Sequence, residues 1–248
     1  MVKAVAATGT PTVVVVMSGR AHVLTSIAEV ASALVQTWPP GEQGGHALAD
    51  VLFGKVDATG RLPVSLLRSV GQVPEHRGHR GIGDRSLFYG DYTDCPSSAL
   101  FPFGHGLSYT TFEQGQLRAS AGDTHSVVSI SVVVRNTGKR AGEELVQLYA
   151  TDLVASVSRP EQQLVSFARV YLEPGESRRV TFDIHPSRLA FYDEHMRFVV
   201  EPGEFRFATG TSALDLHCRC TVELAGEVVE YSQRSVVPVR VSVDPVSS

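Results

Sequence analysis

The chain has 248 residues, room for two domains of ordinary size, and a formal charge of -4. It is 43% hydrophobic and 19% charged with a mean hydropathy of +0.02, a balance that excludes a disordered chain. No apolar run is long enough to span a bilayer, and no stretch clusters Lys and Arg, so neither membrane nor nucleic acid is an expected partner.

Near the start, Lys3 precedes an apolar run ending in "SGRA", which superficially resembles a secretion signal. Pro11 and the Thr-Gly-Thr before it interrupt that run, and its valines suit a strand better. No convincing leader is therefore read here, and the location is unknown, cytoplasmic only by default. "TPTVVVVMSGR", residues 10–20, reads as a strand buried on both faces in the middle of a parallel sheet. Too few residues precede it to form another strand and its crossover helix.

Next, "AHVLTSIAEVASA" has apolar residues at helical intervals, and "ALVQTW" reads as a second buried strand with Trp38 in the core. The breaker "PPGEQGG" leads into a short helix, "HALADVLFG", with Ala47, Leu48, Val51 and Leu52 inward and Gly54 near its end. "GRLPVSLL" is a candidate last strand. With about three strands, this is half of an α/β sheet.

Residues 70–100 form a long polar loop, and "LFPFGHGLSYTTF" after it reads as a packed aromatic connector built on Phe101, Phe103, Tyr109 and Phe112. From residue 125 the period becomes two. Val128, Ile130, Val132 and Val134 alternate with mostly polar neighbours, as do Val180, Phe182 and Ile184, and Phe205 and Phe207. In "LDLHCRCTVEL", Leu214, Leu216, Cys218, Cys220, Val222 and Leu224 share one face. The turns "RNTGKRAG", "LEPGES" and "VEPGEF" separate such runs, and roughly seven short strands of this kind argue for an antiparallel β-sandwich. The domains expected are a partial α/β domain over 1–115, a β-sandwich over 116–226 and a weakly patterned tail over 227–248.

"VAATGTPTVVVVMSGR", "WPPGEQGGHALADVLFGKVDATGRLPVS", "SVGQVP" and "LFPFGHGLSYTTF" resemble the second domain of glycoside hydrolase family 3, the β-glucosidase group. "VVVRNTGKRAGEELVQLYATD", "RPEQQLVSFARVYLEPGES" and "LAFYDEHMRFVVEPGEFRFATGTS" resemble the fibronectin type III-like domain that follows it. The resemblance implies an incomplete α/β sandwich followed by an all-β fibronectin type III-like sandwich. It also implies that two catalytic groups belong elsewhere: an aspartate nucleophile on a (β/α)₈-like barrel, and a glutamate acid/base preceding the strand that corresponds to "TVVVVMSG". Neither has a counterpart here, so no catalytic residue is assigned.

Retaining hydrolysis needs two carboxyl groups about 5–5.5 Å apart, one of them a proton donor with a raised pKa. Glu42, Asp50, Asp84, Asp91 and Asp94 are the local candidates. Glu42 precedes a helix N-terminus, where an acid serves the helix dipole, and Asp50 lies within an apolar helix pattern. "PGEQGGHALAD" lacks the features of a phosphate-binding loop, and Ser18 lacks a nucleophile elbow. In the loop "EHRGHRGIGDRS" and the "YTD" after it, His79, Arg80, Tyr92 and Asp94 match parts of a recurrent family loop and are the candidate sugar contacts. Gly83 also matches, whereas Arg85 falls a position late, and a plain solvated loop is the competing reading.

His76 and His79 lack a third ligand at fitting spacing, and Cys218 and Cys220 face a core, so no metal is expected and no cofactor either. Three cysteines supply no disulfide framework. Two functions follow. The first is the C-terminal portion of a family 3 glycosidase, inert alone, whose partner is a separate barrel-bearing chain or a second copy meeting its unpaired sheet edge. The alternative is a non-catalytic module binding carbohydrate or protein.

Overall fold

The computed structural model describes residues 1–73, 95–232 and 236–246. Its first part holds helix α1 (Val2–Ala6), strand β1 (Val13–Val16), helix α2 (Thr25–Ala28), strand β2 (Ala33–Gln36) and helix α3 (Gly44–Leu52). β1 and β2 pair in parallel, from Val13 opposite Ala33 to Val16 opposite Gln36, as a sheet of two.

Four expectations are corrected here. The valine strand is not buried on both faces: no residue of β1 or β2 is buried, and Val13 is 49% exposed. A strand is enclosed only when neighbours and helices cover it, and among the described residues β1 has one neighbour. "GRLPVSLL" forms no strand; a single antiparallel bridge joins Leu66 to Phe101. Helix α3 forms as its spacing predicts and stops where Gly54 takes a φ of 69°, but Ala47 and Leu52 are exposed, and Leu48 and Val51 only half-buried. Among the described residues its apolar stripe lacks a full cover, and Phe53 beside it is 90% exposed. Helix α2 is a single turn, although its pattern suggests a longer helix. Among the described residues, no helix is long and apolar enough to cross a membrane.

The second part begins with β3 (Phe112–Gln114), β4 (Arg118–Ala119) and β5 (Gly122–Asp123). The main strands follow: β6 (Val128–Asn136), β7 (Gly142–Asp152), β8 (Gln163–Leu172) and β9 (Ser177–Ile184). Then come β10 (Phe191–Tyr192), β11 (Phe198–Val200), β12 (Gly203–Gly210), β13 (Cys218–Ala225), β14 (Val229–Glu230) and β15 (Arg240–Pro245). One sheet runs β5-β13-β12-β7-β8 and another β15-β9-β6-β3, with β4 also on β6; β10, β11 and β14 make a small third sheet.

The alternating residues meet between the two large sheets as expected of a sandwich. Val128, Ile130, Val132 and Val134 from β6 are buried with Val180, Phe182 and Ile184 from β9 and Phe205 and Phe207 from β12. Cys218, Val222 and Leu224 join them and Cys220 packs against them, whereas Leu214 is exposed in a turn closed by the bridge Ser212–Asp215. The last segment, read from its weak pattern as a tail, carries β14 and β15. β15 pairs with six residues of β9, and Val243 packs against the core.

Residues 54–66 and the aromatic connector tie the two parts together. Leu62 N–H donates to His105 O at 2.9 Å, Gly104 N–H to Leu62 O at 2.8 Å and Leu66 N–H to Phe101 O at 2.8 Å. Asp57 accepts from Ser108 Oγ at 2.7 Å and Tyr109 N–H at 2.8 Å, and the Tyr109 hydroxyl donates to Val51 O at 2.8 Å. Arg140, in the β6–β7 turn, donates to Gly54 O and lies over the Tyr109 ring. Phe112 packs on the sandwich core as expected, but Tyr109 works through its hydroxyl and keeps 45% exposure.

A buried ion pair lies at the centre of this junction. Arg61 Nη2 sits 3.1 Å from Glu144 Oε2, with the side chains 6% and 7% exposed. Gln114 Nε2 donates to the other Glu144 oxygen at 3.4 Å. Burial pushes the Glu144 carboxyl above its usual pKa, against the pull of Arg61 and the amide. Beside it, burial and then the Arg61 charge hold His105 below the usual imidazole range.

Candidate functional site

The proposed sugar contacts His79, Arg80, Tyr92 and Asp94 lie outside the described residues, as do His76, Gly83, Asp84, Arg85 and Asp91. The two ends of that segment are described, and one side chain holds both. Gln72, 1% exposed, ends a 3₁₀ turn over Val70–Gln72. Its Oε1 accepts from the N–H groups of Arg68 at 2.7 Å and Ser69 at 3.3 Å. Its Nε2 faces the carbonyls of Pro96 at 2.9 Å, Ser97 at 3.1 Å and Ser98 at 3.3 Å. Ser69 Oγ accepts in turn from Gly71 N–H, completing a capping box, so one buried amide fixes where the chain leaves and returns.

Among the described residues, the acids closer to the strands form no cooperating pair. Glu42 is exposed in the turn before α3, and Asp50 pairs with Lys55 at 3.0 Å on the surface. The perturbed carboxyls lie elsewhere, in the sandwich, where sequence reasoning proposed none. Glu144 is locked by Arg61 and Gln114. Asp152, at the end of β7, is pushed up to about 6 by burial first, with Arg159 pulling it down and Glu201 raising it further.

Arg159 Nε lies 3.5 Å from Asp152 Oδ2, and the guanidinium sits 4.0 Å over the Phe191 ring and donates to Leu189 O at 3.3 Å. Glu201 accepts from Ser156 N–H at 2.9 Å. This arrangement pins the 152–159 loop to the sandwich. Glu201 is engaged with that loop, and the guanidinium beside Asp152 offsets its charge, so the pair is built as a structural clasp rather than a nucleophile and proton donor.

A pH dependence follows, and its sign is fixed by the raised value. The folded chain holds the Asp152 proton up to about pH 6 while the unfolded chain releases it near its ordinary 3.8, so the fold binds more protons between the two. Stability should fall as pH rises across that interval and level off above it. Urea midpoints compared across the interval should show this slope in the wild type and a flatter one in Asp152→Asn.

At the carboxyl ends of β1 and β2, Ser18 Oγ and His22 Nε2 lie 2.7 Å apart. A Cβ on Gly19 would lie 3.9 Å from the Pro39 ring, which sets residues 18–22 beside residues 38–40. Trp38 is half-buried rather than a core residue, with a φ of 54°. Thr37 Oγ1 donates to Trp38 O at 3.0 Å. Both polar atoms of the neighbouring Gln36 amide are buried without a hydrogen-bond partner among the described residues.

Comparison with known proteins places this framework. The glycosyl hydrolase family 3 C-terminal domain matches residues 1–109, and the fibronectin type III-like domain matches residues 144–213. A periplasmic β-glucosidase of Salmonella typhimurium is 39% identical over 86% of the chain. The chain belongs to glycoside hydrolase family 3.

It corresponds to the C-terminal region of such enzymes, spanning 29% of the Salmonella relative. A β-xylosidase of Formosa agariphila is 39% identical over 86% of the chain and 30% of its own length. The family 3 chain also superposes on a β-glucosidase of Listeria innocua in complex with glucose. That match has a TM-score of 0.86 and 32% identity, over 92% of this chain and 33% of that one. The fold class expected from the sequence, a partial α/β unit followed by a fibronectin type III-like sandwich, is the one found.

Proposed function

We propose that this family 3 chain is the C-terminal portion of a retaining β-glycosidase acting on terminal β-linked sugars such as glucose, and that it is inert alone. Retaining hydrolysis takes a carboxylate nucleophile and a carboxylic acid set about 5–5.5 Å apart. In this reading both come from a barrel-bearing polypeptide, and residues 1–115 form the surface that receives it. Residues 116–226 are then a sandwich that braces this surface, with 227–248 closing its edge. His79, Arg80, Tyr92 and Asp94 are the candidate contacts to the sugar.

The observation that carries the reading is a sheet that has two strands and no full cover among the described residues, with Val13 and Phe53 exposed in a fold whose other half is closely packed. A parallel pair without flanking layers leaves strand edges and apolar faces to be covered. The test is an aryl β-glucoside assay of the chain alone and of the chain co-expressed with a barrel-bearing polypeptide from a relative. No turnover alone and turnover on complementation are expected. Turnover by the chain alone that is lost in Asp94→Asn or Glu42→Gln would defeat the proposal.

A further inference from the structure

We propose that Trp38, at the carboxyl end of β2, is a stacking platform for the pyranose ring of a β-glycoside, in a site completed by Ser18, His22 and Gln36. The choice of sugar rests on the family 3 reading; the location of the site rests on strain and unmet hydrogen bonding at one place in the sheet.

A left-handed backbone is costly for a bulky side chain, and the residue before a proline is normally extended. Trp38 precedes Pro39 and has a φ of 54°. The other non-glycine residue with positive φ among those described, Met196, lies in a turn that explains it. There Asp193 Oδ1 accepts from the N–H groups of His195 and Arg197, both at 2.9 Å. Trp38 gains no comparable return from packing. The large aromatic residues of the core, Tyr149, Phe182 and Phe207, are fully buried, whereas Trp38 is only half-buried.

A second unmet cost lies two residues away in the Gln36 amide, since a buried polar group without a partner is destabilising. Strain and orphaned polar groups together are retained where a ligand repays them. The place is also the expected one, because ligands of parallel sheets bind outside the carboxyl ends of the strands.

The chemistry fits a sugar. The apolar face of a pyranose covers an indole, and its hydroxyls need both donors and acceptors around the rim. The Gln36 amide, the Ser18 hydroxyl and the His22 imidazole provide both. A sugar hydroxyl entering the 2.7 Å Ser18–His22 contact exchanges one hydrogen bond for two.

Trp38 is the only tryptophan, so indole emission, excited selectively over the seven tyrosines, reports this position alone. Methyl β-glucoside and methyl β-xyloside should change the emission saturably, with half-saturation in the millimolar range, and sorbitol should not. Gln36→Leu keeps the reporter and should weaken binding about tenfold, as expected for a lost hydrogen-bonding group. Trp38→Gly, free to adopt positive φ, should melt no lower than the wild type and show no heat of sugar binding in calorimetry.

A response that is linear and equal to that of sorbitol overturns the site. So does a large fall in the melting midpoint of Trp38→Gly, which would make the indole a packing group. Successful complementation with a barrel alongside failed titration removes this site and leaves the family 3 proposal standing. Saturable binding alongside failed complementation does the reverse.

Discussion

Arg61→Met should destabilise the fold by about 3–5 kcal/mol, the usual cost of stripping one partner from a buried ion pair. Methionine keeps the unbranched stem as far as the Nε position and removes the guanidinium, so the loss comes mainly from leaving Glu144 charged, enclosed and facing only the Gln114 amide and the Leu145 N–H. Two controls separate this cause from lost packing. Arg61→Met combined with Glu144→Leu removes both charges and should recover most of the loss, because replacing a buried pair by apolar groups is often neutral. The single variant should also regain stability as pH falls. Burial already raises Glu144, and without Arg61 its folded pKa rises further, so the penalty is full above that value and shrinks as the acid takes up its proton. Urea denaturation of the three chains at neutral and acidic pH measures both effects. A single-variant loss below about 1 kcal/mol, the range of a surface ion pair, would show that water reaches the junction.

The same residues show how far the sequence could be read. Period-two runs identified the sandwich because each main strand has one dry face, and that asymmetry is written in the alternation. Val180, Phe182 and Ile184 needed no further information. The valine run of β1 is uniform instead, and uniform apolarity states what a strand can tolerate, not what lies beside it. Burial of Val13 depends on layers that the described residues do not supply. Residues 60–67 misled for a similar reason: their strand-like composition is used in one bridge and a few hydrogen bonds to the connector.

Pairs far apart in sequence were out of reach. Arg61 and Glu144 are 83 residues apart, and neither sits in a pattern that names the other. Gln72 was visible only as part of "SVGQVP", a run that resembled a family motif, while its role in holding residues 68–69 to 96–98 needed coordinates. Trp38 was misplaced in the core because its hydrophobicity is plain in the sequence and its backbone conformation is not. Only residue-by-residue resemblance singled out His79, Arg80, Tyr92 and Asp94.

Asn136, the only asparagine in the chain, is fully buried where the β6–β7 turn meets the connector. Its Oδ1 accepts from Thr110 Oγ1 at 2.9 Å and Gly138 N–H at 3.0 Å. Its Nδ2 donates to Arg140 O at 2.7 Å and Leu172 O at 3.0 Å. All four capacities used are satisfied, and the four partners come from the connector, the turn and β8. Asn136→Ala should therefore cost about 3 kcal/mol, since each buried group left unpaired costs about 1–3 kcal/mol and some will find water. Asn136→Asp sharpens the test. The carboxylate can accept from Thr110 and Gly138 but must turn an anion toward two carbonyl oxygens, which raises its folded pKa. Its loss should be largest at neutral pH and shrink as pH falls through that raised value toward the unfolded value of about 3.9, where the protonated acid donates again. Urea midpoints that are equal for Asn136→Asp at neutral and acidic pH, once corrected for the wild-type slope, would show that the two donor bonds contribute nothing. The junction would then rest on its other ties, among them the Arg61–Glu144 pair, the Asp57 and Tyr109 hydrogen bonds and the backbone bonds of residues 62–66.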